Sequence, residues 1–107
     1  MKKTLSFDDI LLIPQLSDIE SRREVDISST LGGREFSLPV ISSPMDTVTG
    51  PDMVKALSDQ GGLGILHRYN SIQEQVSMLR QNPSCATGAA IGVSGDYMDR
   101  AEALVEA

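Results

Sequence analysis

Three short apolar runs, at 39–43, 63–66 and 87–93, each lead into a stretch with helical periodicity, and this repeat constrains the chain more than any other feature. The runs begin about 24 residues apart, the length of one strand, one helix and two short connections. A strand that is apolar on both faces and feeds a helix reads as part of a parallel sheet. The expected architecture is therefore parallel α/β.

The helices are legible from their ends. Gly50 and Pro51 open the first, with proline at the favoured first helical position and Asp52 where the helix dipole favours negative charge. Met53, Val54 and Leu57 supply its inward stripe, and Gly61-Gly62 ends it. Ser71 and Glu74 form a capping box for the second helix, whose Ile72, Val76 and Leu79 recur on one face until Asn82-Pro83 stops it. Asp96 is placed to cap the third, in which Tyr97, Ala101, Leu104 and Val105 make one apolar face. The small residues of 87–93 permit close helix packing.

Ahead of the repeat, residues 5–15 read as a short strand or extended arm that packs on a core and stops at Pro14. Asp8-Asp9 is a solvated or capping pair rather than a metal site. Residues 16–37 are polar and turn-rich, and Gly32-Gly33 predicts a hairpin turn between β-like runs at 25–28 and 34–37 because both glycines can take positive φ.

A chain of 107 residues with 40% hydrophobic content builds one core, and with aromatics at 4% that core is aliphatic. Net charge is −6, and no basic cluster exceeds Arg22-Arg23, so neither nucleic acid nor an acidic membrane is an expected partner. A mononucleotide remains compatible, because backbone amides and helix amino termini hold a phosphate without a basic patch. No apolar stretch approaches the roughly 18 residues of a membrane span. Met1-Lys2-Lys3 leads into Leu5-Ser6-Phe7-Asp8-Asp9, too short and too acidic for a secretory signal, so a cytoplasmic location is expected. The lone Cys85 excludes an internal disulfide and a cysteine-based metal cluster, and no metal site is expected.

Candidate chemistry lies where the strands end. In a parallel α/β fold, side chains just past the carboxyl end of a strand face the ligand crevice. The run at 39–43 ends on Ser43, and Pro44, Met45, Asp46 and Thr47 follow: a hydroxyl, a flexible thioether and a carboxylate suited to a polar, partly flat ligand. The plainer reading is a polar turn with Met45 in the core. Asp46 and Thr47 read as supports that bond their own turn or cap the next helix. His67 and Arg68 end the second strand. A lone histidine is more often structural than catalytic, whereas Arg68 can steady a phosphate or carboxylate. Gly88 and Gly92 have neither the dinucleotide-fingerprint spacing nor a phosphate-loop lysine.

The segment SSPMDTVT at 42–49 closely resembles the first βα loop of the IMP dehydrogenase/GMP reductase family, and the resemblance extends to LSFDDILLIPQ at 5–15, EVDIS at 24–28, GGLGILHR at 61–68 and GAAIGV with the helix after it at 88–107. It implies a (β/α)8 barrel, of which the arm and hairpin at 1–37 and the βα units at 38–107 would be the amino-terminal arm and about the first three units of a single catalytic domain. Such a barrel needs roughly 200 residues or more. The repeat does not close, and Ala107 falls inside a helical pattern. A cleavage product, a deliberately cut piece or half of a split enzyme is therefore expected.

The resemblance further implies Ser43 and Met45 beside a purine nucleotide, with the methionine against the base. His67 and Arg68 are expected near the active site, and Val93 and Ser94 near the adenosine half of a dinucleotide. The implied reaction is NAD-dependent oxidation of IMP to XMP through a covalent cysteine thioimidate. The nucleophile would lie in a later loop outside this chain, so no catalytic residue is expected here and Cys85, at the amino-terminal face, has no catalytic role. The sister activity, GMP reductase with NADPH, and a non-catalytic nucleotide-binding fragment are the alternatives. Implied partners are the remaining barrel polypeptide, a purine mononucleotide and further copies in a tetramer or octamer. A monovalent-cation site, if present, would lie outside the chain.

Overall fold

A computed structural model describes residues 3–107; Met1 and Lys2, weighed above as part of a signal, lie outside them. Two sheets organise the described residues. Strands β1 (Ser29–Leu31) and β2 (Arg34–Phe36) form an antiparallel hairpin. Strands β3 (Ile41–Ser42), β4 (Leu63–Leu66) and β5 (Thr87–Ala89) form a parallel sheet in the order β3-β4-β5. Helices α1 (Pro51–Asp59), α2 (Ile72–Arg80) and α3 (Tyr97–Val105) follow the three parallel strands in turn. The parallel α/β expectation holds for these three units.

The register aligns Ser42 with Gly64 and Leu66 with Ala89, so the carboxyl ends of all three strands open on one side. Beta4 is the central strand and carries the densest packing. Leu66 is fully buried, and Val54 of α1 is 1% exposed, each burial contributing about 1.5–3 kcal/mol. Gly64 permits that contact: a Cβ there would stand 2.7 Å from Val54 Cα. The close helix packing expected from small residues of 87–93 is thus made by Gly64 on β4, while Gly88 instead makes room for Ile65 of the neighbouring strand, whose Cδ1 would lie 2.5 Å from an added Cβ.

Several boundaries differ from expectation, each for a local reason. The hairpin begins at Ser29 rather than at 25–28, because a two-residue turn pairs the residues flanking it, Leu31 with Arg34. Its Gly32 and Gly33 both take positive φ, 59° and 79°. The runs at 39–43 and 87–93 shorten to two and three residues of strand, although Leu63 N–H still donates to the Val40 carbonyl and Ala90 N–H to that of Leu66. Val40 and Ile41 are half-exposed rather than covered on both faces, because β3 is an edge strand here.

The helix starts follow the capping chemistry. Pro51 occupies the first turn of α1, and Ser71 and Glu74 complete a capping box on α2, in which Ser71 N–H donates to Glu74 Oε2 at 2.8 Å and Glu74 N–H to Ser71 Oγ at 3.2 Å. The Ser71 backbone N–H and then the Ser71 hydroxyl, which also donates to Glu74 Oε2 at 2.8 Å, hold the Glu74 carboxyl below the usual range. Asp96 does not cap α3. Its φ and ψ of −81° and 13° are not the extended backbone of a capping residue, and its carboxylate bonds Arg100 one turn on. Met53 and Val105 also leave the inward faces assigned to them and are exposed.

The segment at 5–15 forms no strand. A 3-10 turn spans Phe7–Asp9, where Asp9 accepts from the Ser6 N–H at 2.8 Å, a capping role. The apolar group beyond it is not packed on this chain, with Leu11 and Leu12 each 95% exposed. Nothing among the described residues covers the arm.

Candidate functional site

The turn after β3 is built around one buried hydroxyl. Thr49 is fully buried, and its Oγ1 lies 2.6 Å from the Ser43 carbonyl and 2.8 Å from Ser42 Oγ. A hydroxyl carries a single proton and a carbonyl can only accept, so Thr49 donates to Ser43 and the Ser42 hydroxyl supplies the proton of the other contact. Thr49 N–H and Val48 N–H both donate to the Met45 carbonyl, at 2.9 and 3.0 Å. The loop is therefore closed on itself beneath its outward residues. Ser43, Asp46 and Thr47 are exposed, as is Met45 at 51%. Met45 is not a core methionine.

At the end of β4, His67 and Arg68 part company. His67 is buried and accepts at Nδ1 from the Tyr69 N–H at 3.3 Å, which leaves the proton of the neutral ring on Nε2; its ring also stacks on Tyr69 with centroids 6.4 Å apart. Arg68 is exposed. Its guanidinium lies over the Tyr69 ring, 5.7 Å from the centroid, and Nη1 stands 3.6 Å from where a Cβ on Gly92 would be. The structure thus brings Arg68 to the loop carrying Val93 and Ser94, both exposed. No hydrogen bond among the described residues joins either group to Ser43 or Met45, which share only the carboxyl side of the sheet.

Beneath the mouths of β4 and β5 lies a polar network that the apolar periodicity conceals. Arg100 of α3 is buried, and its two Nη groups have four acceptors. Nη1 donates to Gln75 Oε1 at 2.9 Å and Asn70 Oδ1 at 3.3 Å; Nη2 donates to the Asn70 carbonyl at 2.9 Å and Asp96 Oδ2 at 3.0 Å. Gln75 of α2, fully buried, passes the chain of bonds on by donating Nε2–H to the Ala90 carbonyl at 2.9 Å. Sequence reasoning missed Thr49, Gln75 and Arg100. The available signal was positional: Gln75 and Arg100 interrupt the stripes Ile72–Val76–Leu79 and Tyr97–Ala101–Leu104 at the i+3 place, where an apolar residue belongs.

Cys85 sits at the opposite, amino-terminal end of β5, half-buried, with its N–H on the Asn82 carbonyl. Among the described residues no group of three or more His, Cys, Asp and Glu is disposed to hold a metal, and no helix is long and apolar enough to cross a membrane.

The model of the IMP dehydrogenase / GMP reductase domain matches residues 4–107. An inosine-5'-monophosphate dehydrogenase of Methanocaldococcus jannaschii is 44% identical over 79 residues, 74% of this chain and 16% of that protein. A GMP reductase of Leishmania donovani is 42% identical over 78 residues, 72% of this chain and 16% of its own length. The crystal structure of inosine 5' monophosphate dehydrogenase from Legionella pneumophila superposes with a TM-score of 0.83 at 36% identity, covering 97% of this chain and 32% of that one. The chain thus spans about a sixth of the length of these curated relatives.

Proposed function

Because the chain belongs to the IMP dehydrogenase / GMP reductase family, we propose that it supplies the amino-terminal arc of a (β/α)8 barrel that oxidises IMP to XMP with NAD. The single observation that carries this reading is the β3 loop, in which a buried threonine fixes the backbone while Ser43 and Met45 stay exposed at the carboxyl end of the sheet. A hydroxyl and a polarisable thioether on a rigid turn suit a nucleotide: one bonds a polar edge, the other covers the face of a purine. The arc binds and orients. Its only thiol lies at the far end of β5, so the covalent step belongs to a cysteine of the remaining barrel polypeptide.

The dinucleotide requirement can be compared with the side chains at the mouths of β4 and β5. Arg68 offers a cation for a pyrophosphate, Ser94 a hydroxyl and Val93 an exposed apolar surface, a combination that fits one wall of such a site. When bound, NAD supplies the hydride acceptor. The residues of this chain would hold and orient it, and His67, buried and bonded to the Tyr69 N–H, steadies the tyrosine over whose ring Arg68 lies.

A second reading, GMP reductase with NADPH, is favoured by the 42% identity to the Leishmania protein. The test is to assay the chain assembled with the rest of its barrel for NADH formation from IMP and for NADPH consumption with GMP, as wild type and as Met45→Ala. Met45 is half-exposed, so the variant should escape the roughly 2–5 kcal/mol cost of emptying a core site while raising the nucleotide KM about tenfold. A large fall in Tm at unchanged KM would place Met45 in the core and defeat the reading.

A further inference from the structure

We propose that Arg100 is a positioning residue for the dinucleotide wall at the mouths of β4 and β5, an inference that rests on the function proposed above. Arg100 lies on α3 and bonds none of Arg68, Val93 and Ser94, yet its guanidinium holds two mouths together. Through the Asn70 carbonyl and Oδ1 it fixes the loop that follows His67 and Arg68. Through Gln75, whose amide must turn Oε1 to the guanidinium and Nε2 to the Ala90 carbonyl, it fixes the end of β5 just before Ile91, Gly92, Val93 and Ser94. The β4–β5 ladder ends with the Ala90 N–H on the Leu66 carbonyl, and Arg68 reaches over Gly92 beyond it, so past the ladder the separation of Arg68 from Val93 and Ser94 depends on this fork.

The chemistry of the network argues for placement rather than for stability alone. Four donors in a fixed plane meet acceptors from α2, from the loop just before α3 and from the β4–α2 loop, and only Asp96 among them is charged. Buried ion pairs are weak evidence of net stabilisation, and an apolar helix face would cover α2 as well. A planar fork, in contrast, fixes angles as well as distances, which a lysine cannot do. The β3 loop is outside the network, since Thr49 closes it independently. The two halves of the mouth are therefore separately held.

The experiment uses the assembled protein with Arg100→Lys, which keeps the charge and loses the fork, beside Leu104→Ala, a half-buried α3 control, with each variant assayed at the same interval below its own Tm. Arg100→Lys should raise the dinucleotide KM about tenfold, leave the purine-nucleotide KM within about twofold and change kcat little, a pattern that loss of positioning gives and general destabilisation does not. Amide exchange, read without turnover, should quicken at 67–70 and 90–94 together in Arg100→Lys and not in the control. Equal KM values in the two variants, or exchange that stays slow at either segment, would overturn the proposal. A wild-type assembly that turns over neither IMP nor GMP would instead sink the function reading, and the exchange result would still decide whether Arg100 couples the two loops.

Discussion

Replacing Thr49 with valine removes one hydroxyl from a fully buried side chain and almost nothing else. The Ser43 carbonyl loses its 2.6 Å donor, and the Ser42 hydroxyl loses its 2.8 Å acceptor. A buried polar group left unpaired costs about 1–3 kcal/mol, which in a domain of roughly 150–250 residues lowers Tm by about 2–4 °C per kcal/mol. Thr49→Ser keeps both bonds and gives up one methyl, about 0.8 kcal/mol of burial. In the assembled protein, thermal unfolding should therefore rank wild type above serine and serine above valine. The nucleotide KM should rise for valine alone, because only valine frees the loop bearing Ser43 and Met45. If valine proves as stable as wild type and serine the weaker, methyl packing rather than the hydroxyl holds the loop and the argument fails.

Two further outcomes are expected. Glu74 has its carboxyl held below the usual range by the Ser71 backbone and side chain, so its contribution to stability is present above the unfolded-state value and is lost as pH falls through the lowered folded-state one; Glu74→Gln should flatten the acid limb of a Tm-versus-pH curve, and an unchanged limb would count against the capping box. Cys85→Ser should leave turnover of the assembled protein within a few fold, since a nucleophile would cost several orders of magnitude, and loss of activity on that scale would show the chemistry to be misplaced.

The parts of the fold that were legible in the sequence are those written in apolar period and in terminal chemistry. Pro51, the Ser71–Glu74 box and the glycine pair at 61–62 mark helix ends that the structure keeps to within a residue or two. Less legible were features that depend on a neighbour. The edge position of β3 exposes Ile41, and an arm with no covering surface leaves Leu11 and Leu12 in solvent, although both sequences read as buried runs. Asp96 looked like a cap because spacing cannot show that Arg100 would claim its carboxylate. At the mouths, the exposed candidates Ser43, Met45, Arg68, Val93 and Ser94 were chosen for their chemistry, and their exposure follows from lying past strand ends. The residues that hold them still were not chosen, because a buried polar side chain reads as a flaw in an apolar pattern until its partners are known.

That asymmetry has a physical origin that bears on how the site tolerates change. Ligand-facing groups at a strand mouth sit on irregular backbone, whose N–H and C=O groups lack the partners a strand or helix provides. Each mouth therefore needs a polar group from below to satisfy it. At β3 the group comes from the same unit, Thr49 on the turn into α1. At β4 it comes from the following unit, Arg100 of α3 reaching Asn70, and at β5 from the preceding one, Gln75 of α2 reaching Ala90. The second and third units are thus coupled through polar bonds at their carboxyl ends, whereas the first is held there from within and meets the second lower down, through contacts such as Val54 against Gly64. Substitutions at the exposed residues should change affinity with little effect on folding, and those at the buried polar residues should change both, because the bonds that satisfy the loop backbone are also the ones that aim its side chains.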